Sequence, residues 1–302
     1  DEAQLTADAN ITISSAADSD VTLNTVSAVK KNPLSSIGAT VADSIAEATA
    51  LVKSNVVISA GKDFSLTSDV SNQMDVSTTV AANIVAKKKK GPGGSKAKQS
   101  KGPALAYTQG NATSASIAGI ESGTTVTARN VDVQANNAND FSVATKTMVI
   151  RPGANRGQAM GVAISQVMST ADAFVDGAVV AQQDINNDGG HVSVLASSIN
   201  ANNDSLAKSS VRKDPPASQK LEAATQGRSL AGSSNAGALS IGAAMVFVDS
   251  SNTATAKIGN GGQVSADGHM TISAYAEDNF KAISIGSSSG GAKVAIGGGI
   301  SI

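Results

Sequence analysis

The stretch Phe64–Lys90, FSLTSDVSNQMDVSTTVAANIVAKKKK, decides how the rest of the chain is read. It opens with apolar and polar residues in alternation, the period of a β-strand with one face turned inward. An Asn/Asp/Ser-rich middle follows, then a second strand of small and β-branched residues, then a run of lysines. Segments in the same order begin at Ile11, Val131, Val192 and Met270. A second family leads into them: VADSIAEATALV from Val41, LAYTQGNATSASI from Leu105, VAISQVMSTADAFV from Val162 and AAMVFVDSSNTATAKI from Ala243. Each is followed by a turn, such as GNGG at Gly259–Gly262, and a short strand such as VVISA or TTVTA.

The chain is therefore one repeat array, with approximate modules 1–36, 37–103, 104–157, 158–228 and 229–302. The anchors Ile11, Phe64, Val131, Val192 and Met270 lie 53 to 78 residues apart, and the variation sits mostly in the breaks. Short strands between Gly/Asn/Asp turns bury too little to stand alone. Stacked, they share a continuous core and pair their backbones between coils. The expected fold is all-β: an elongated β-solenoid, a parallel β-helix of short stacked strands with basic loop inserts. Each module is expected to make two or three coils of about 20 residues. A chain of small β-sandwiches is the competing architecture.

Composition agrees. Of 302 residues 41% are apolar but only 2% aromatic, with no Trp and no Cys. The core must then be thin, lined with Ala, Val and Ile. The absence of Cys excludes disulfides and thiolate metal sites. No apolar run reaches the length of a membrane-spanning helix. The chain opens at Asp1, and AKVAIGGGISI at its end repeats the start of a leading segment. Both ends are expected to cut through the repeat, so neighbouring modules or identical chains placed end to end are the expected partners.

Charge is segregated. Four breaks (KKNPLSS, AKKKKGPGGSKAKQSKGP, RPGANRG and RKDPPASQKLEAATQGR) hold 15 of the 23 Lys and Arg but 2 of the 24 acids, in a chain of net charge −1. Stacked on one side of a solenoid, they would make that side positive and the shaft negative. Lys87, Lys88, Lys89, Lys90, Lys96, Lys98 and Lys101 are the candidate contacts to a polyanion, such as an acidic polysaccharide or an anionic cell surface. The competing reading is a solvated loop. Sequence-specific nucleic-acid binding is not expected, since the inserts carry no aromatic residue to stack on a base.

DINNDGG, Asp184–Gly190, has the start of a calcium loop, with Asp184, Asn186 and Asp188 as candidate ligands. Its twelfth position is Leu195, which cannot supply the closing carboxylate, so a tight turn competes with calcium; no other cofactor is expected. His191 and His269 sit at equivalent turn-flanking places, which argues for a structural role. No catalytic set can be assembled, and the chain reads as a non-enzyme.

The run from Ala236 to Ile302 resembles the repeats of giant bacterial filamentous, autotransporter-like surface adhesins, the leukotoxin-like β-repeat proteins. Ala256–Gly259, Met270–Ala274 and Val57–Gly61 carry the likeness. The resemblance implies a secreted or cell-surface localisation and a structural or adhesive role in a bacterial fibre, and no catalytic residues. The long lysine insert departs from that pattern. A self-polymerising filament or sheath subunit and a polysaccharide-acting β-helix enzyme are the alternatives.

Overall fold

A computed structural model describes residues 3–29, 35–83, 103–150, 157–212, 239–288 and 294–302. The described chain is strand and turn throughout, in five coils of three strands each. The first coil is β1 (Ala3–Ala7), β2 (Ile11–Val29) and β3 (Ser36–Val52). The second is β4 (Val56–Ala60), β5 (Asp63–Asn83) and β6 (Ala104–Ile120), and the third β7 (Thr125–Ala128), β8 (Asn130–Ile150) and β9 (Gly157–Val175). The fourth is β10 (Ala178–Ala181), β11 (Val192–Arg212) and β12 (Leu239–Ile258). The fifth is β13 (Gln263–Ala266), β14 (Met270–Ser288) and β15 (Val294–Ser301).

Equivalent strands pair in parallel, giving three five-stranded sheets in coil order. The short strands form a narrow end sheet. The chain runs out along the second sheet and back along the third, whose inner faces pack together, so that Ser19 meets Ser44 and Ser27 meets Ser36. The molecule is a parallel β-helix flattened into a slab. A strand of about 20 residues spans about 65 Å, whereas five stacked strands rise only about 24 Å.

Each module thus makes one wide coil, not two or three coils of about 20 residues. The difference lies in the Asn/Asp/Ser-rich middles. Their composition suggests turns, but they continue as strand. Ile11, Phe64, Val131, Val192 and Met270 stack in one register column. Eight residues further on, Ser19, Asn72, Asn139, Asn200 and Asp278 stack in another. These inner positions are buried in the central coils: Asn72, Asn139 and Asn200 are each 3% exposed or less.

The interior therefore alternates apolar and polar layers along the strands. Beside the end sheet lies an apolar block including Phe64, Leu66, Ile120, Val131 and Val194. An amide and hydroxyl seam follows. Asn139 Nδ2 donates to Asn200 Oδ1 (2.9 Å) and Ser169 Oγ (3.0 Å), Ser169 Oγ donates to Asn200 Oδ1 (2.8 Å), and Asn200 Nδ2 donates to Asp278 Oδ1 (3.2 Å). A second apolar block contains Met74, Phe141, Val143 and Val167. Beyond it Thr78 reaches Thr40 and Thr145 reaches Thr108, each at 2.7 Å. A final small block with Val80, Ala104 and Val211 ends at the insert edge.

The seams have a physical role. Ala, Val, Ser and Thr recur every second residue, so a two-residue slip would keep the same faces inward. Buried amides that must find partners make such a slip costly. Small residues let the two sheets approach. A Cβ on Gly110 would sit 2.6 Å from Met74 Cε and 2.8 Å from Val143 Cγ2.

Candidate functional site

Three places stand out as candidate sites, and all follow from the coil geometry. The first is the insert edge. Val29, Ala82, Val149, Val211 and Ser288 form one column, and Ser36, Ala104, Ala159, Gly242 and Gly297 another. Every break between the second and third sheets therefore leaves and rejoins at the same long edge. The candidate lysines Lys87, Lys88, Lys89, Lys90, Lys96, Lys98 and Lys101 fall outside the described residues. A basic pair that sequence reading missed stands near this edge. Lys146 and Lys208 are register neighbours on the outer face of the second sheet. Partial burial, and then the charge of Lys146, lower the Lys208 pKa. Only the register makes them neighbours, since 62 residues separate them in the chain.

Away from the edge the same outer face is acidic. Asp18, Asp20, Asp69, Asp75, Asp140 and Asp204 project from four successive strands. Alternation forces this, since each acid lies one residue from an inner position. Burial raises the pKa of Asp132 on this face, against hydrogen bonds from Ser193 and Gln134 that lower it.

The second place is the loop between β10 and β11. Other coils make this turn in one to three residues, and here it takes ten, from Gln182 to His191. Asp184 Oδ1 accepts the backbone N–H groups of Asn186 (2.7 Å) and Asp188 (3.0 Å), and these bonds hold its carboxyl below the ordinary range. Asp184 N donates to Asp188 O at 2.9 Å, and Asn187 adopts a left-handed φ of 61°. Asp188 Oδ2 lies 3.6 Å from Arg129 Nη1. Asp184 thus closes its own loop, and Asp188 faces a cation already present. Among the described residues no group of three His, Cys, Asp or Glu side chains could hold a metal ion.

The third is the turn column Asn10, Asp63, Asn130, His191 and His269, where the chain enters the second sheet. Asn10 Oδ1 accepts Asp63 N (3.2 Å), Asn130 Oδ1 accepts His191 N (3.1 Å), and His191 Nδ1 accepts His269 N (2.9 Å). The two imidazoles stack at 5.3 Å with a 4° tilt. Accepting at Nδ1 leaves the proton of neutral His191 on Nε2. Between these contacts Arg129 forks onto Asp63, with Nε and Nη2 each at 3.1 Å. The hydrogen bonds from Arg129, with help from Asn130, hold the Asp63 carboxyl below its usual pKa against partial burial. Side chains at this column tie each coil to the next.

At both ends of the stack the inner columns lie open. Met270 is 52% and Ile272 43% exposed, whereas Val192 and Val194 beneath them are 1% and 0% exposed. At the other end Leu23 is 42% exposed beside fully buried Val76. No helix among the described residues is long and apolar enough to cross a membrane. Comparison with protein-family models, curated proteins and solved structures found no match.

Proposed function

We propose that this chain is a structural and adhesive segment of a large bacterial extracellular or cell-surface fibre. The observation that carries the reading is the continuity of its columns through five coils to two open ends. Strand edges with unpaired backbone groups, backed by exposed apolar inner residues, are surfaces that another coil would cover. Met270 would then be covered as Val192 is, and the Asn139–Asn200–Asp278 seam would gain a further member. Load along such a fibre is borne by parallel backbone ladders three sheets wide.

The adhesive part rests on charge. The shaft face carries acids, while the basic breaks all join the shaft at one edge, next to Lys146 and Lys208. A fibre so built offers a line of positive charge to acidic polysaccharide or another anionic surface. The test is electron microscopy of the native assembly together with binding of the purified chain to an acidic polysaccharide across salt concentrations. Slab-sectioned fibres and binding that weakens steeply with salt support the proposal. Discrete particles that bind neutral and acidic polysaccharide alike overturn it.

A further inference from the structure

The outer faces of the two long sheets differ in chemistry, and the difference points to a lateral interface. On the third sheet, next to the insert edge, three adjacent outward columns carry no Asp, Glu, Lys or Arg. They begin at Ile37, Ala39 and Val41 in the first coil and continue through Met160, Val162 and Ile164 in the third. Ile37 is 63%, Val41 54% and Met160 44% exposed. The polar groups within them are already engaged: Tyr107 OH donates to Gln109 Oε1, and Gln109 Nε2 donates to Asn111 Oδ1 at 3.1 Å. The facing region of the second sheet instead carries Lys146 and Lys208, with the acids beyond them toward the end sheet. An apolar stripe this long on an exposed sheet face marks an interaction surface.

We propose that this stripe packs against the same stripe of a second copy of the chain, joining two solenoids side by side. Three columns span about 20 Å and five strands about 24 Å, so each partner contributes about 500 Å². The pair buries about 1,000 Å², the size at which specific association begins. Each added coil extends the stripe.

Charge fixes the orientation. Asp43 and Asp249 share the next column toward the end sheet, and Glu47 and Asp172 stand in two separate columns beyond an uncharged one. A two-fold axis along the strands would lay each acidic column on its own copy. A two-fold axis parallel to the solenoid axis, through the Val162 column, sets the apolar columns face to face and moves the acids to the rim. The acids on the end-sheet side of the stripe set like charge against an anionic lipid surface.

The chain lacks Cys, so single cysteines report position directly. In the proposed pair the Val162 residues of the two copies face each other across about 10 Å. Val162→Cys treated with a short bismaleimide should give a covalent dimer at micromolar concentration. Ser71→Cys, on the outer face of the second sheet, should not. End-to-end stacking would separate the two thiols of the Val162→Cys variant by about 24 Å, beyond the linker. Ile164→Lys should weaken dimerisation in sedimentation equilibrium about thirtyfold or more with an unchanged circular dichroism spectrum, and Ser71→Lys should leave it unaltered. Equal cross-linking of the two cysteine variants, a monomer at all concentrations, or cross-linking of Val162→Cys that survives Ile164→Lys would overturn the proposal. So would flotation of the chain with anionic vesicles that is lost in Ile164→Lys, because the stripe would then be a lipid-binding face.

Discussion

Replacing Asn139 and Asn200 by leucine, one at a time, separates two effects that a buried amide ladder combines. Leucine keeps asparagine's branching and heavy-atom count but is bulkier, so both variants carry a similar overpacking cost of about 1–3 kcal/mol, and the difference between them isolates the hydrogen bonds. At position 139 the amide donates two hydrogen bonds, but its own Oδ1 accepts none among the described residues. Asn200 Oδ1 keeps the Ser169 hydroxyl at 2.8 Å, so no acceptor is orphaned. The loss of two modest bonds is offset by removal of an unpaired carbonyl, so hydrogen bonding should add no more than about 1 kcal/mol to the cost of Asn139→Leu. At position 200 the roles reverse. Oδ1 collects hydrogen bonds from both Asn139 and Ser169, and Nδ2 serves Asp278. Asn200→Leu leaves two buried donors short of their acceptor, at about 1–3 kcal/mol each, and hydrogen bonding should add about 2–6 kcal/mol to its cost. Guanidinium unfolding followed by far-ultraviolet circular dichroism, at matched protein concentration, gives both values. Equal costs at the two positions, or a neutral Asn200→Leu, would refute the reasoning.

Phe141→Ala should cost about 3–5 kcal/mol, because a fully buried ring is removed from the second apolar block; the same unfolding assay measures it. Gly61→Ala should destabilise the chain by about 1–3 kcal/mol, since a Cβ would meet Asp8 O at 2.5 Å, and hydrogen exchange should show the first coil loosened most. Asp63 has a folded pKa below its unfolded value, so its contribution is present above about pH 4 and is lost as pH falls through the lower, folded value. Asp63→Asn should therefore flatten the acid limb of the stability–pH curve below about pH 4 and leave its shape unchanged near neutrality. Replacing Lys87, Lys88, Lys89 and Lys90 by Gln should weaken binding to an acidic polysaccharide and flatten its salt dependence without altering the melting curve, and binding equal to the parent's would reduce the insert to a solvated loop.

How far the fold can be read from sequence depends on which side of each strand carries the signal. The anchors Ile11, Phe64, Val131, Val192 and Met270 are apolar, inward and followed by alternation, and they form one column of the structure. The common edge of the inserts follows from the same alignment. The width of the coil does not, because Ser, Thr, Asn and Ala occupy both faces through the middle of each strand. Hydropathy alternation then vanishes although structural alternation persists. A positional signal was nonetheless present: the residue eight places after every anchor is Ser, Asn or Asp. A turn tolerates such drift in polar identity, but a buried ladder requires a side chain that can hydrogen-bond at that place in every coil.

The sites divide in the same way. DINNDGG was legible as a tight loop, and its aspartate does close it. Which oxygens are spent on the loop's own backbone is a matter of geometry that spacing does not carry. The equivalence of His191 and His269 was visible as repeat position, while their stacking and the Nδ1 contact depend on coils meeting 78 residues apart. The Lys146–Lys208 pair and the uncharged stripe on the third sheet emerge only once the register is known. Residues such as Val41, Ile164 and Phe247 look like core in a sequence whose inner positions are mostly small.

The wide coil is tested most directly by two spin-label distances in the cysteine-free chain. Asp18 and Glu277 occupy the same outer column in the first and fifth coils, joined through Ser71, Ala138 and Ile199. Labels at Asp18→Cys and Glu277→Cys should lie about 19 Å apart, four strand spacings. Ser14 and Ala28 lie on one strand, and labels there should be about 46 Å apart. Coils of about 20 residues would invert the pattern: the first pair would be separated by about 13 coils, near 60 Å, and the second would fold back to well under 30 Å. A short first distance with a long second one is the result predicted here, and the reverse would contradict it.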